Sequence, residues 1–176
     1  MADKIIILSG KQFSGKDTVA KILLEQLPSF RRIALGDAIK LEYSKITGLT
    51  IDEIEKNKSQ YRPDLIALGD KGRATHPDYW LNNVIEQEGD IIVPDVRVPR
   101  ELELFRTKNA FSIRVEASQE ARAKRGLLVK EDDMTETVLD SVEDWNYIIQ
   151  NDYGYEELEE KCVPLIEAIN KHFDHK

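Results

Sequence analysis

Cysteine is nearly missing from this sequence. Cys162 is the single one among 176 residues, so no disulfide framework can form, and a reducing cytoplasm is the expected setting. Cys162 falls on the apolar stripe of a predicted helix and reads as a buried structural thiol. Histidine is scarce too: His76, His172 and His175 show no metal-ligand spacing. No apolar run approaches the ~20 residues that a membrane span needs. The apolar stretch of "MADKIIILSG" is too short for a secretory signal, so no membrane partner is expected. Basic charge is in deficit. Lys and Arg number 25 against 33 Asp and Glu, a net −8, which argues against a nucleic-acid partner. The local basic spots at Arg31-Arg32, Arg97 to Arg100 and Arg122 to Arg125 suit a small anionic ligand better than a polyanion.

What is present is the material of one globular domain over 1–176: 41% hydrophobic and 33% charged residues, enough chain for a sizeable core. Repeats, linkers and low-complexity tracts are lacking. Short apolar runs alternate with amphipathic stretches. Strands are predicted over 4–9, 31–36, 90–95, 110–117 and 146–151. Helices are predicted over 15–27, 37–48, 51–57, 61–73, 77–88, 100–108, 118–126 and 155–173. Asp37 is the expected N-cap of the 37–48 helix, with Gly48 after its end. Pro63 is expected in the first turn of its helix and Pro77 at the start of the next; Pro164 is a candidate kink. The stretch 127–141 is polar and reads as a lid-type insertion. Alternating apolar strands and helices predict an α/β fold: a five-stranded parallel sheet covered on both faces, with ligands at the carboxyl ends of the strands.

One stretch carries chemistry. "SGKQFSGKDT", Ser9 to Thr18, has Gly10, Gly15 and Lys16 at G-x-x-x-x-G-K spacing. By residue frequencies alone, roughly one chain in twenty of this length contains such a match. Here it follows a buried strand and opens a helix, the setting a phosphate-binding loop requires. Gly10, Lys11, Gln12, Phe13, Ser14, Gly15, Lys16, Asp17 and Thr18 are therefore candidate nucleotide contacts. Backbone N–H groups would surround the phosphates, and Lys16 would reach the β- and γ-phosphates. Asp17 stands where the pattern asks for Ser or Thr. Its carboxylate is a candidate Mg²⁺ ligand; the alternative is that it only caps the helix and Thr18 supplies the hydroxyl.

These residues resemble two kinase families. "SGKxxSGKD" is similar to the animal-type phosphomevalonate kinases and to phage-type deoxynucleoside monophosphate kinases. "GDAIKLEY" resembles their G-P-[LI]-K segment. "YRPDLIALGDKGRATHPDYW" aligns without a gap to the phosphomevalonate kinase pattern R-x-D-x-I-x-x-G-x-x-x-R-x-x-x-P. "VPDVR" resembles their [SP]-D-T-R, and "RAKRG" and "DWNYIIQN" their lid arginines and last strand. Two departures bear on the acceptor. Val98 stands where those kinases have a second arginine, and Gln12 and Phe13 replace basic loop residues.

The resemblance implies a three-layer P-loop kinase fold, with an acceptor-binding insertion over about 37–88 and a lid over about 118–141. It implies an ATP- and Mg²⁺-dependent transfer onto a phosphorylated small molecule, phosphomevalonate or, alternatively, a deoxynucleoside monophosphate. Phosphoryl transfer asks for positioning and charge neutralisation. Lys16, Asp17, Asp95 and Arg97 are the candidate catalytic residues. Asp95, at a strand end, would orient Mg²⁺ or take the acceptor's proton; Arg97 would reach the transferring group with its bidentate fork. Lys40, Arg62 and Arg73, with Arg97, are the implied acceptor contacts. Arg122 and Arg125 are the implied lid arginines over ATP, and Asn151 the implied adenine contact. Tyr79 and Trp80 are expected in the core of the insertion. A guanine-nucleotide switch is disfavoured, because the stretches that should carry its motifs read "QNDYG" and "PDVRV". A non-catalytic nucleotide-binding scaffold stays open.

Overall fold

A computed structural model describes residues 1–175. In chain order these form β1 (Ala2–Ser9), α1 (Lys16–Gln26), β2 (Phe30–Arg32), α2 (Leu35–Thr47), α3 (Ile51–Lys56), α4 (Lys58–Thr75), α5 (Tyr79–Ile85), β3 (Gly89–Val93), α6 (Pro99–Thr107), β4 (Phe111–Glu116), α7 (Gln119–Arg125), α8 (Met134–Thr137), β5 (Tyr147–Gln150) and α9 (Tyr155–Asp174). The chain forms two compact units. One is Ile33–Glu88; the other joins Ala2–Arg32 to the chain from Gly89 onward.

The second unit holds the expected five-stranded sheet, in the order β2-β3-β1-β4-β5, with every pairing parallel. Its three central strands, β3, β1 and β4, are largely buried because both faces are covered there. Ile6 and Leu8 point to the face where Val19 and Leu23 of α1 meet Cys162, Leu165 and Ile169 of α9. Ile5 and Ile7, one pleat over, are equally buried. Cys162 is fully enclosed there, and burial pushes its thiol up to about 11, so it is the inert core group expected. From β1 the chain runs to β2 and β3 on one side of that strand, and after β3 it crosses to β4 and β5 on the other. The carboxyl end of β1 is thus the switch point at which open α/β sheets bind ligands.

The Ile33–Glu88 unit is all helix. Leu35 already lies in α2, so the strand expected over 31–36 stops at Arg32. Ala34, not Asp37, is the N-cap. Asp37 acts from the third helical position, accepting the Ala34 N–H at 2.8 Å, so it reaches back to the cap residue's backbone instead of capping the N–H groups that follow it. Pro63 lies inside α4 rather than in its first turn; a proline there removes one ladder bond and leaves an exposed carbonyl to water. Pro164 likewise lies within α9. Trp80 is buried and donates its indole N–H to the Gly69 carbonyl at 2.9 Å, while the Tyr79 hydroxyl reaches Glu42 at 3.2 Å.

Gly72 is where α4 lets this indole in. A Cβ at Gly72 would lie 2.6 Å from the ring. Gly72→Ala should therefore expel Trp80 or bend α4, and is expected to destabilise by about 1–3 kcal/mol, as overpacked cores do. Urea denaturation followed by tryptophan fluorescence measures it; an unchanged midpoint would show that the ring has room.

Candidate active site

The loop after β1 is built by left-handed residues. Gly15, the N-cap of α1, has φ 103°. A Cβ there would collide with the Asn151 amide, as one at Gly10 would with the Val115 carbonyl. Both glycines serve close backbone approach. Phe13 is also left-handed, at φ 58°, a conformation that costs a non-glycine residue about 1–2 kcal/mol. The first turn of α1 then presents the Lys16, Asp17 and Thr18 N–H groups, which by helix geometry have no intrahelical partner. Ser14 adds a buried hydroxyl with no hydrogen-bond partner. Such a concavity fits phosphate oxygens.

A cavity of about 590 Å³ opens on this loop, lined by residues 11 to 18 together with Arg32, Pro94, Asp95, Arg97 and Arg125. The lining carries five cationic side chains (Lys11, Lys16, Arg32, Arg97, Arg125) against two carboxylates (Asp17, Asp95). That surplus suits a polyanion of triphosphate size. Lys16 folds back onto its own loop, donating to the Gly10 carbonyl at 2.5 Å and the Lys11 carbonyl at 3.3 Å. Burial, then the nearby Arg97 charge, holds its ammonium below the ordinary lysine value.

Three further segments hold this cavity in shape. After β3, the Val96 N–H donates to the Leu8 carbonyl at 3.1 Å, tying the Asp95–Arg97 turn to the end of β1. Glu101 fastens the other end of that turn, accepting from the Arg97 N–H at 2.8 Å and the Val98 N–H at 3.2 Å. Burial raises the Glu101 carboxyl despite those two donors. After β5, the Asn151 amide donates to the Ser14 carbonyl at 2.8 Å, and its own carbonyl accepts from Arg125 at 2.6 Å. Arg125 also donates to the Phe13 carbonyl at 3.0 Å and the Tyr153 carbonyl at 3.3 Å. A neighbouring cavity of about 520 Å³ shares Arg125 and is walled by α7 residues, Asp152 and Tyr153.

The structure thus brings Lys16, Asp17, Asp95, Arg97 and Arg125 to one cavity. Asp17 is not the helix cap. It lies in the first turn of α1, exposed, its carboxylate 3.7 Å from the Arg32 guanidinium. Asn151 sits under the loop rather than on the cavity lining. Arg122 is buried and paired with Glu131 at 2.9 Å, and it too is absent from that lining; two of its guanidinium nitrogens, Nε and Nη1, have no partner among the described residues. Lys40, Arg62 and Arg73 line a cavity of about 230 Å³ in the helical unit, with Gly36, Ile39, Leu65 and Ile66. Lys40 is paired with Glu55 and Arg73 with Asp70 at 2.7 Å.

The sequence reading missed Glu101, Arg114 and Asp140. Arg114 is buried in β4, donating to Ser9 Oγ at 3.0 Å and to Asp140 at 2.9 Å; Asp140 in turn holds Lys11 at 2.8 Å. An arginine within the apolar run "FSIRV" was the available signal, since arginine is rarely buried without a partner.

Among the described residues, no group of three or more His, Cys, Asp or Glu could hold a metal ion by itself. The oxygen donors on the cavity, Asp17, Thr18 and Asp95, fit a Mg²⁺ ion that arrives with phosphates and keeps part of its water shell.

Comparison with known proteins bears on this geometry. The family model described as phosphomevalonate kinase matches residues 8–111. A phosphomevalonate kinase from Drosophila melanogaster is 28% identical over 93% of this chain and 94% of its own length. Among solved structures, shikimate kinase from Aquifex aeolicus superposes with a TM-score of 0.54 at 18% identity, over 93% of this chain and 96% of that one. The APS kinase of Mycobacterium tuberculosis, solved with AMPPNP and APS, superposes with a TM-score of 0.52 at 13% identity, over 93% and 97%. At such identities the likeness is one of fold, that of the small P-loop kinases.

Proposed function

The chain belongs to the phosphomevalonate kinase family, and from that premise we propose that it transfers the γ-phosphoryl group of Mg-ATP to the phosphate of a short aliphatic acid, making a diphosphate, with phosphomevalonate as the acceptor that fits best. That the protein is a small-molecule kinase follows from the family and the fold. The nucleotide and acceptor assignments are ours.

The observation that carries the acceptor assignment is the lining of the helical unit's cavity. Three aliphatic side chains, Ile39, Leu65 and Ile66, stand with three cations, Lys40, Arg62 and Arg73, and no aromatic ring or side-chain amide is among them. A nucleobase is held by stacking and by polar groups along its edges. An aliphatic chain bearing a phosphate and a carboxylate needs an apolar wall and cations instead. Tyr79 and Trp80, the aromatic side chains expected in the core of this unit, are engaged with Glu42 and Gly69.

In the transfer, an acceptor phosphate oxygen attacks the γ-phosphorus, and the bond to the β–γ bridging oxygen breaks, releasing ADP. A phosphomonoester is largely dianionic at neutral pH, so no general base is required, and Asp95 serves the metal rather than a proton. Asp17, Thr18 and Asp95 would hold Mg²⁺, which would supply charge neutralisation on the β- and γ-phosphates. Lys16 and the loop N–H groups hold the same phosphates, and Arg97 contacts the transferring group. The cavity beside Arg125, walled by Tyr153, is the proposed seat of the adenine.

The test is ADP release from Mg-ATP with phosphomevalonate and each of the four deoxynucleoside monophosphates offered separately. Turnover is expected with phosphomevalonate. Turnover with nucleotides alone would overturn the acceptor assignment, and ATP binding without turnover on any acceptor would favour a non-catalytic scaffold. Asp17→Ser should remain active but need about tenfold more Mg²⁺ for half-maximal rate, the equivalent of one charge-assisted contact of about 1.5 kcal/mol. An unchanged Mg²⁺ titration would remove Asp17 from the metal's ligands.

A further inference from the structure

Gln12, one of the two loop residues that depart from the basic pattern, is held from outside the loop by three hydrogen bonds. Its N–H donates to Glu136 Oε2 at 3.0 Å. Its side-chain amide makes a two-way bond with Val129, donating to the carbonyl at 2.5 Å and accepting from the N–H at 3.1 Å. Three bonds thus join one residue of the phosphate loop to the polar segment 127–140, far away in sequence. Glu136 also lies close enough to Lys16 to favour its charged form.

The next residue explains why such a clamp is needed. Phe13 occupies the left-handed region, which a non-glycine residue keeps only where its surroundings over-determine it. On the far side of Phe13, Arg125 takes its carbonyl and the ring lies where any side chain at residue 126 would be, a position filled by Gly126. On the near side the holding groups are those on Gln12. A backbone N–H has one proton to give, and without Glu136 that of Gln12 could turn away from the phosphate-binding conformation.

We propose that Glu136 is a positioning residue: its carboxylate oxygen, by accepting the Gln12 N–H, holds the phosphate loop in its strained nucleotide-ready conformation before the nucleotide arrives. The proposal rests on the reading of this loop as the ATP site. It assigns to Glu136 a hydrogen-bond acceptor's role and no contact with the reacting atoms. Preorganisation of this kind contributes to binding in the ground and transition states alike, so its loss should raise KM and spare kcat.

The experiment compares wild type with Glu136→Gln and Glu136→Ala. Calorimetry measures the Kd for Mg-ATP, and steady-state kinetics with ATP varied gives kcat and KM. Glutamine keeps an oxygen that can accept the Gln12 N–H, so its Kd should stay within about threefold of wild type, the range of a retained neutral hydrogen bond. Alanine should weaken Mg-ATP binding and raise KM by about tenfold, the factor that 1.4 kcal/mol represents, with kcat within about threefold. A glutamine variant as impaired as alanine would overturn the proposal, because charge rather than the acceptor would then matter. So would a fall in kcat at unchanged KM, or an alanine variant equal to wild type. If wild type binds no Mg-ATP, the reading of the loop fails first; if it binds and the variants match it, only the role of Glu136 fails.

Discussion

Lys16→Ala is expected to lower kcat by about 10³-fold while leaving the fold intact, the ~4 kcal/mol that one preorganised stabiliser of developing charge supplies. Lys16 is half-buried, and among the described residues its ammonium donates to two loop carbonyls, those of Gly10 and Lys11. Those bonds can be exchanged for phosphate oxygens without disturbing the core. Steady-state rates with a matched thermal melt would check both halves, and near-normal turnover would end the phosphate-loop assignment. The pH dependence has a sign as well. Burial and Arg97 hold the Lys16 ammonium below the usual lysine range, so it loses its proton at a lower pH than an unfolded lysine does. The alkaline limb of kcat/KM, which reports the free enzyme, should therefore fall below the ordinary ~10.4 of lysine. Bound triphosphate favours the charged form, so the limb of kcat should move up. The folded state binds fewer protons here than the unfolded chain, so this one group makes stability rise, not fall, as pH climbs through that window.

Arg125→Ala should cost about 10²-fold in kcat/KM, mainly through weaker nucleotide binding. The guanidinium joins the Phe13 carbonyl to those of Asn151 and Tyr153. It thereby fastens the phosphate loop to the loop after β5 and forms a wall of both cavities there. A hydrogen bond from a charged donor is worth about 1.5–3 kcal/mol, and the two shorter ones join the carbonyl of the strained Phe13 to that of Asn151. Arg125→Lys should recover little, because one ammonium cannot span carbonyls that the planar fork reaches together. Calorimetric titration with Mg-ATP measures the loss. Binding within threefold of wild type would mean that the loop keeps its shape without this fastening.

Much of the scaffold could be read in advance from local pattern. Four of the five apolar runs are strands as read, and the fifth strand, β2, overlaps its run only at Arg31 and Arg32; all pair in parallel. The helix after Gly15 begins where the phosphate-loop pattern puts it, and Cys162 is in the core. These depend on periodicity and on steric rules that act over a few residues. The errors lie where two local solutions were nearly equal. Asp37 could cap the N–H groups that follow it or reach back from inside the first turn of α2, and the run "RRIALG" could be strand or helix start. The resemblance implies nucleotide contacts for Asn151 and Arg125, and the fold adds that both donate hydrogen bonds to carbonyls of the loop.

The sequence by itself determined the chemistry on offer: a glycine-spaced loop with a lysine, a carboxylate beside it, and an acidic chain with few cations to spare for anything but a small anion. Those are properties of residue type and of spacing within a single turn. Tertiary structure alone decided which distant groups hold that loop. Glu136, Asn151 and Arg125 lie more than a hundred residues from Gln12, Ser14 and Phe13. Their hydrogen bonds exist because a parallel sheet gathers the carboxyl ends of β1, β3, β4 and β5 at one edge. No window of sequence contains both partners of such a bond, so no local pattern could announce it.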